Sequence, residues 1–241
     1  TATTEIYTLS LHDAFRSANI EKLVLSLKNV LSEHCKAYEI IIVNDGSRDR
    51  TREIAERLAA EHEYVRVIHH RTNRGYGGAV ISGLCAAKLE WVFFTDGDNQ
   101  FDVSEMPLLI AMTDRYDFVA GHRLKRNDPP YRRVNAFFWN LLVQSLFRFS
   151  AKDVDCAFKL IRKEIIDQIR PETTGAMIST ELFAKATKLG YRIGEVGVHH
   201  YPRKAGTQTG AKLKVILKAF GELFQFYGRM KKWGNSSAGS A

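Results

Sequence analysis

The sequence predicts an α/β domain built on a mostly parallel sheet with helices on both faces. Two patterns carry that expectation. Short β-branched apolar runs alternate with longer segments of helical period, and carboxylates recur just past the ends of the runs. Strand–helix–strand alternation favours parallel pairing because the crossover helix returns the chain to the same sheet end. Strands buried on both faces then read as nearly continuous apolar stretches.

Tyr38-Glu39-Ile40-Ile41-Ile42-Val43 is the first such run, and the turn Asn44-Asp45-Gly46-Ser47 follows it. Ser47 or Asp49 is placed to cap a helix over about 50–62, where Ile54, Ala55, Leu58 and Ala59 share one stripe. Val65-Arg66-Val67-Ile68 gives the next strand, a Gly-rich turn leads into a small-residue helix over about 77–89, and Trp91-Val92-Phe93-Phe94 ends at an acidic turn. A helix near 104–114 and a strand at Asp117-Phe118-Val119-Ala120 complete the repeating unit. The second half is less regular. A basic loop (124–133) precedes an aromatic helix over 134–149, then a strand at 157–161, a helix near 178–189, a strand at 191–198 and a polar loop over 201–210. A basic amphipathic helix over 211–233 and a small polar tail over 234–241, expected to be disordered, close the chain.

The length of 241 residues suits one large α/β domain, and 45% apolar with 26% charged residues suits a packed core. A net charge of +8 favours a polyanionic partner, which by charge alone could be nucleic acid, an anionic membrane or a phosphorylated small molecule. Cys35, Cys85 and Cys156 form no C-x-x-C pair, so a disulfide framework and a zinc ribbon are disfavoured and a reducing cytosolic setting is expected. There is no apolar run of the ~20 residues a spanning helix needs. Nor does the N-terminus show a basic-then-apolar pattern, so no signal peptide is expected.

Asp96-Gly97-Asp98 stands directly after an apolar strand. Two carboxylates one residue apart can converge on a hard cation, with Gly97 permitting an unusual backbone angle, and Gln100 and Asp102 within reach. Such an ion neutralises charge on a departing diphosphate. The EF-hand reading fails, because Phe101 stands where that loop needs glycine. An acidic surface turn is the bland alternative. Asp45, past another strand end, suits a nucleobase or ribose, although a helix-capping turn also accounts for Ser47. Asn73-Arg74-Gly75-Tyr76-Gly77-Gly78 looks built for close approach of backbone to a ligand, but Val80 replaces the third glycine of the dinucleotide fingerprint. Arg123, Lys125, Arg126, Arg132, Arg133, Arg203 and Lys204 form a basic set, in which Arg203-Lys204 lies in a loop suited to a phosphate clamp. The pairs His69-His70 and His199-His200 do not suggest zinc, since neighbours in extended chain face opposite ways.

Taken in order, Val43-Asn44-Asp45-Gly46-Ser47, Asn73-Arg74-Gly75-Tyr76-Gly77, Thr95-Asp96-Gly97-Asp98-Asn99-Gln100, Gly121-His122-Arg123, Asp155-Cys156-Ala157-Phe158-Lys159 and Glu195-Val196-Gly197-Val198 resemble GT-A glycosyltransferases of family 2. The likeness is to the polyprenyl-phosphate, dolichol-phosphate mannose synthase-like branch and spans about residues 19–225. It implies a single nucleotide-binding domain over 19–210 that moves a hexose from a GDP- or UDP-linked donor to a polyprenyl phosphate, with inversion and with Mg²⁺ or Mn²⁺. By that resemblance Val43, Asp45, Asn73, Gly75, Asp96, Gly97 and Asp98 line the nucleotide-sugar, and Asp96, Asp98 and Gln100 surround the metal. Arg123, Arg133 and Arg203 meet acceptor or donor phosphates, so that Asp96, Asp98, Arg123 and Arg203 form the catalytic set. No nucleic acid is implied. The Gln-x-x-Arg-Trp motif of processive synthases is absent, which favours a single transfer.

The aromatic helix and the basic terminal helix suit an anionic membrane surface, hence a peripheral place on the cytosolic inner face. Packing on the domain or in a dimer would use the same apolar faces. Two departures stand out. Residues 1–18 lack the family's nucleotide-lining Pro-x-x-Asn-Glu segment and are expected to be foreign to the fold, although Ile6, Leu9 and Leu11 could form its first strand. Ala157 replaces a glycine and is expected to crowd the acceptor side. Two other readings remain: a catalytically silent, membrane-associated binding module, and a soluble transferase acting on a protein or sugar.

Overall fold

The computed structural model describes residues 5–10, 17–124, 130–202 and 213–236. Seven strands form one sheet in the order β3-β2-β1-β4-β6-β5-β7. They are β1 (Glu5–Ser10), β2 (Ala37–Asn44), β3 (Val65–His69), β4 (Trp91–Asp96), β5 (Phe118–Arg123), β6 (Phe158–Arg162) and β7 (Ile193–Val198). β1 pairs in parallel with β2 and β4, as does β2 with β3 and β5 with β7, whereas β6 runs antiparallel to both neighbours. The sheet is therefore mostly parallel, as expected. β2 and β4 are its most apolar strands: Ile40 to Asn44 and Trp91 to Thr95 are buried without interruption.

The first strand revises one expectation. Glu5–Ser10 lies in the middle of the sheet, with Thr8 opposite both Ile40 and Phe93. Facing edges of β2 and β4 carry backbone donors and acceptors that need a strand between them, and almost any sequence able to extend can supply that ladder. Residues 5–10 thus belong to the fold rather than standing outside it.

Helix α1 (Ser17–His34), which strand–helix alternation from residue 38 onward did not reveal, buries Ile20, Leu23, Val24, Leu27 and Leu31 at helical spacing. α2 (Thr51–Glu61) and α3 (Tyr76–Ala86) agree with expectation to within a few residues. Asp49 accepts the Thr51 N–H at the start of α2, while Ser47 donates its own N–H to Asn44 Oδ1. The helix expected near 104–114 is shorter: a 3-10 turn (Val103–Glu105) leads into α4 (Met106–Ile110), and Thr113 Oγ1 donates back to the Ile110 carbonyl.

The aromatic helix, α5 (Pro130–Phe147), begins earlier than expected and ends at Arg148, whose φ of 57° turns the chain. α6 (Lys163–Ile169), seated by Ile165, Ile166 and Ile169, was not anticipated. α7 (Ile178–Lys188) is buried from Ile178 to Ala186, including the ion pair of Glu181 with Lys185 at 2.6 Å. α8 (Leu213–Ser236) buries Leu223, Phe226 and Met230. Residues 234–236 are helical rather than tail, and 237–241 lie outside the described residues.

Candidate active site

The chain leaves β1 for β2 and β3 on one side, then crosses to β4 on the other. The gap between neighbouring strands with opposed crossovers is where α/β sheets take ligands, at the carboxyl ends. Asn44 and Asp96 close β2 and β4 at that end, with Ser10 of β1 opposite Asp96. Two loops flank the gap.

The first is organised by Asp45, whose side chain has no exposed surface. A buried carboxylate must be met by donors, and those in reach are the backbone N–H groups of Arg74 (2.8 Å) and Gly75 (3.0 Å) and the His70 ring (2.6 Å). Asn73 adds its amide to the Asp45 carbonyl at 3.1 Å and accepts from Gly75 N. Gly75 has a φ of +85°, where a side chain is strained. Asp45 thus shapes the Asn73–Gly75 loop, the loop expected beside the nucleoside. Val43, expected at the nucleotide, has its side chain in the core. His70, which sequence reading considered only as half of a zinc pair, bridges Asp45 to Ser82 of α3 at 2.8 Å, while His69 turns the other way to Asn44 and Glu56. The two rings diverge as their extended backbone requires.

The second loop carries the acidic turn. Asp98 Oδ1 accepts the Gln100 N–H at 3.2 Å, Gln100 Nε2 donates to the Tyr201 carbonyl at 3.0 Å, and Tyr201 N donates back to the Gln100 carbonyl at 2.7 Å. Phe101 bridges His200 in antiparallel fashion. The chain beyond β7 is thus stitched across the turn that holds Asp96 and Asp98. The positive φ falls on Asn99 (55°), not on Gly97. Asparagine tolerates that region, and Asn99 Nδ2 donates to the Asn19 carbonyl at 3.3 Å. The donor set fits a hard divalent ion: two carboxylates and one amide oxygen on a strand-end turn leave coordination positions for substrate phosphate. Among the described residues no group of three or more His, Cys, Asp or Glu side chains offers a competing all-protein cage.

The basic set divides. Arg123, at the end of β5, makes a bidentate pair with Asp153, Nε–Oδ2 2.6 Å and Nη2–Oδ1 2.8 Å, both side chains being nearly buried. Burial opposes the guanidinium charge, but the Asp153 carboxylate outweighs it and raises its pKa further. Arg123 is therefore tied to the loop after α5. Arg133 lies on α5, its side chain beyond those described, and Lys125, Arg126, Arg203 and Lys204 lie outside the described residues. Ala157, expected to crowd the acceptor side, is a core residue.

Behind the acidic turn sits a buried group to which the sequence motifs assign no role. Lys159, on β6 opposite Phe94, is fully buried. Its Nζ donates to the Cys156 carbonyl, reaches Ser179 Oγ at 3.4 Å, and lies over the rings of Phe94 (5.3 Å) and Phe183 (5.7 Å). Burial lowers its pKa, against the nearby Cys156, Asp155, Asp153 and Asp96. Burial also pushes the Cys156 thiol up to about 12. A lysine inside the apolar run Phe158–Ile161 was the available signal.

Parallel strands ending in an acidic turn and a glycine loop at a crossover gap define the class of α/β sheets that take ligands at their carboxyl ends. Comparison with known proteins narrows it. The sequence profile of Glycosyl transferase family 2 matches residues 14–170, and the chain belongs to that family. Glycosyltransferase AglD of Haloferax volcanii is 31% identical over 175 residues, covering 69% of this chain and 28% of the relative. An undecaprenyl-phosphate 4-deoxy-4-formamido-L-arabinose transferase of Pseudomonas fluorescens is 32% identical over 189 residues, covering 76% of this chain and 53% of the relative. The chain thus spans between about a quarter and about half of these relatives' length.

Among solved structures, glucosyl-3-phosphoglycerate synthase from Mycobacterium tuberculosis, in complex with Mn²⁺, UDP-glucose and phosphoglyceric acid, superposes with a TM-score of 0.70 at 17% identity, over 94% of this chain and 80% of that one. Mannosyl-3-phosphoglycerate synthase from Rubrobacter xylanophilus gives 0.70 at 13%, over 96% and 75%. These share the fold, which is the GT-A arrangement the sequence motifs implied. The profile match starts after β1, so the unusual first strand lies outside the matched stretch.

Proposed function

We propose that this chain transfers a hexose from a nucleoside-diphosphate sugar, UDP- or GDP-linked, to a polyprenyl phosphate, with inversion at the anomeric carbon. The observation that carries the reading is the placement of the Asp96-Gly97-Asp98 turn and the Asp45-anchored Asn73–Gly75 loop on either side of the β1–β4 gap. The names of the relatives, which include a transferase acting on undecaprenyl phosphate, support the acceptor class.

In this reading Asp96, Asp98 and Gln100 would hold a Mg²⁺ or Mn²⁺ ion, which would supply charge neutralisation for a leaving diphosphate. Val43 and Gly97 contribute backbone, and the Asn73–Gly75 loop receives the nucleoside close to its main chain. An acceptor phosphate oxygen forms the new bond to the anomeric carbon as the bond to the diphosphate oxygen breaks and the nucleoside diphosphate leaves with that electron pair. The phosphate is already anionic, so no base need remove a proton. Arg123, Arg133 and Arg203 are the phosphate-binding candidates, with Arg123 oriented by its pair with Asp153.

The acceptor's membrane is met from the cytosolic face by α5 and α8. Phe137 (63% exposed), Phe138, Leu141 and Phe224 (72%) form the apolar part of that surface, and Arg229, Lys231 and Lys232 add exposed cations on α8. Among the described residues no helix is long and apolar enough to cross a membrane.

The test is a donor panel with Mn²⁺, polyprenyl phosphate and labelled nucleotide-sugars. A labelled lipid product is expected, and Asp96→Asn or Asp98→Asn should lower its rate by at least about 100-fold, beyond the 10–100-fold typical of groups that merely support a metal ligand. Label appearing only on a sugar or protein acceptor would favour a soluble transferase. Folded protein that yields no product from any donor would refute the assignment.

A further inference from the structure

The Asn73–Gly75 loop does not rest on Asp45 alone. Its other side meets the segment Thr173–Gly175, which no motif had singled out. Gly78 N donates to the Thr174 carbonyl at 3.2 Å. A Cβ at Gly75 would lie 2.9 Å from the Thr174 carbonyl oxygen, and one at Gly77 would lie 2.7 Å from that of Gly175. The backbones touch where Gly75 and Gly77 leave no room for a side chain.

The far side of the segment faces α8. A Cβ at Gly175 would overlap the Glu222 carboxylate, and Arg229 Nη2 donates to Thr173 Oγ1 at 3.3 Å. From α7, the Glu181 carboxylate accepts the N–H groups of Glu172 (3.1 Å) and Thr173 (2.8 Å), and Lys185 holds both Glu181 and the Ile169 carbonyl (2.9 Å). The segment is thus a fixed spacer, three residues thick, between α8 and the loop.

We propose that Thr173–Gly175, with Glu222 and Arg229, positions the Asn73–Gly75 loop, so that the seating of α8 on the domain sets the affinity for the nucleotide. This rests on the assignment of that loop to the donor. Close-packed backbone has little slack to absorb a shift, so moving the segment that Glu222 and Arg229 hold moves Gly77 and Gly75, and with them the N–H groups bound to Asp45. Glu222 and Arg229 act through other groups and are positioning residues. α8 also carries the exposed Phe220 and Phe224. Whatever engages that face is therefore linked to the donor site, and the linkage is reciprocal.

Calorimetry of the full chain with Mn²⁺ and UDP or GDP, alongside steady-state kinetics and thermal melts, tests this. Gly175→Ala and Glu222→Ala should each raise the nucleotide Kd and the donor KM by about tenfold, within the range of coupling between linked sites, with kcat and the acceptor KM unchanged. Glu222→Gln, which keeps the shape, should recover most of that loss. Arg229→Ala removes one hydrogen bond from an exposed residue and serves as a variant that folds, with an expected loss of about threefold. Wild-type binding with unaltered affinity in Arg229→Ala and in the folded Glu222 and Gly175 variants would overturn the coupling alone. A wild type that binds neither nucleotide would overturn the donor assignment and the coupling with it.

Discussion

Asp45, Asp153 and Glu181 are carboxylates taken out of water, and each survives because its partners are fixed. Asp45 uses loop N–H groups, Asp153 a guanidinium, and Glu181 an ammonium plus two N–H groups. Removing one member of a buried charge pair strands the other at a cost of about 3–5 kcal/mol. Asp153→Ala should therefore destabilise the protein by about that amount, read by urea denaturation, and a loss under about 1 kcal/mol would show that Arg123 is better solvated than the structure indicates. Asp117 differs in pairing with the exposed Arg192. Hydrogen bonds from Arg192, with help from Arg162, hold its carboxyl below the ordinary 3.8. A depressed pKa adds stability above the unfolded value and loses it as pH falls through the folded one. Melting from about pH 6 down to about pH 3 should show a fall in Tm that is smaller in Asp117→Asn, with that variant the less stable at the upper end. Parallel curves would refute it.

α5 and α8 carry rings that meet each other and rings that face solvent. Between the helices, Phe147 packs on the buried Phe226 at 4.8 Å and Trp139 meets the partly exposed Phe220 edge-on at 5.6 Å. Outward, Phe137, Phe138, Leu141 and Phe224 are left exposed. The inner contacts explain why the helices hold together, and the outer ones ask for a partner. If that partner is a bilayer, burying one phenylalanine contributes about 1.5–3 kcal/mol. Phe138→Ser with Phe224→Ser should then cut co-sedimentation with anionic vesicles by at least about tenfold while leaving Tm unchanged. Sedimentation equal to wild type would rule out these rings as the membrane contact. The sequence showed both helices through their apolar load. It did not show which rings face inward, because period alone marks a stripe and not what covers it.

For the whole molecule, the sheet depends on a strand that motif reading set aside. β1 supplies the ladder for β2 and β4 together, and the crossover gap exists only because it stands between them. Thr8→Pro should remove a ladder bond mid-strand at about 3 kcal/mol or more, read as lowered Tm and faster proteolysis. Wild-type resistance would mean that β1 is dispensable. The parallel order of β2, β3 and β4, the position of Asp96 and Asp98 at a strand end, and the family likeness were all legible in the chain, since they follow from local apolar runs and ordered motifs. The reversal of β6, the capture of Arg123 by Asp153 and the turning of Asp45 toward its own loop were not. Each joins residues about thirty or more positions apart, whose meeting no local period encodes. The sequence by itself determined the class of fold and which carboxylates stand at its strand ends. Tertiary structure alone decided which of those charges are consumed in holding the site's shape, because a buried charge must be matched by whatever partner the fold brings near it.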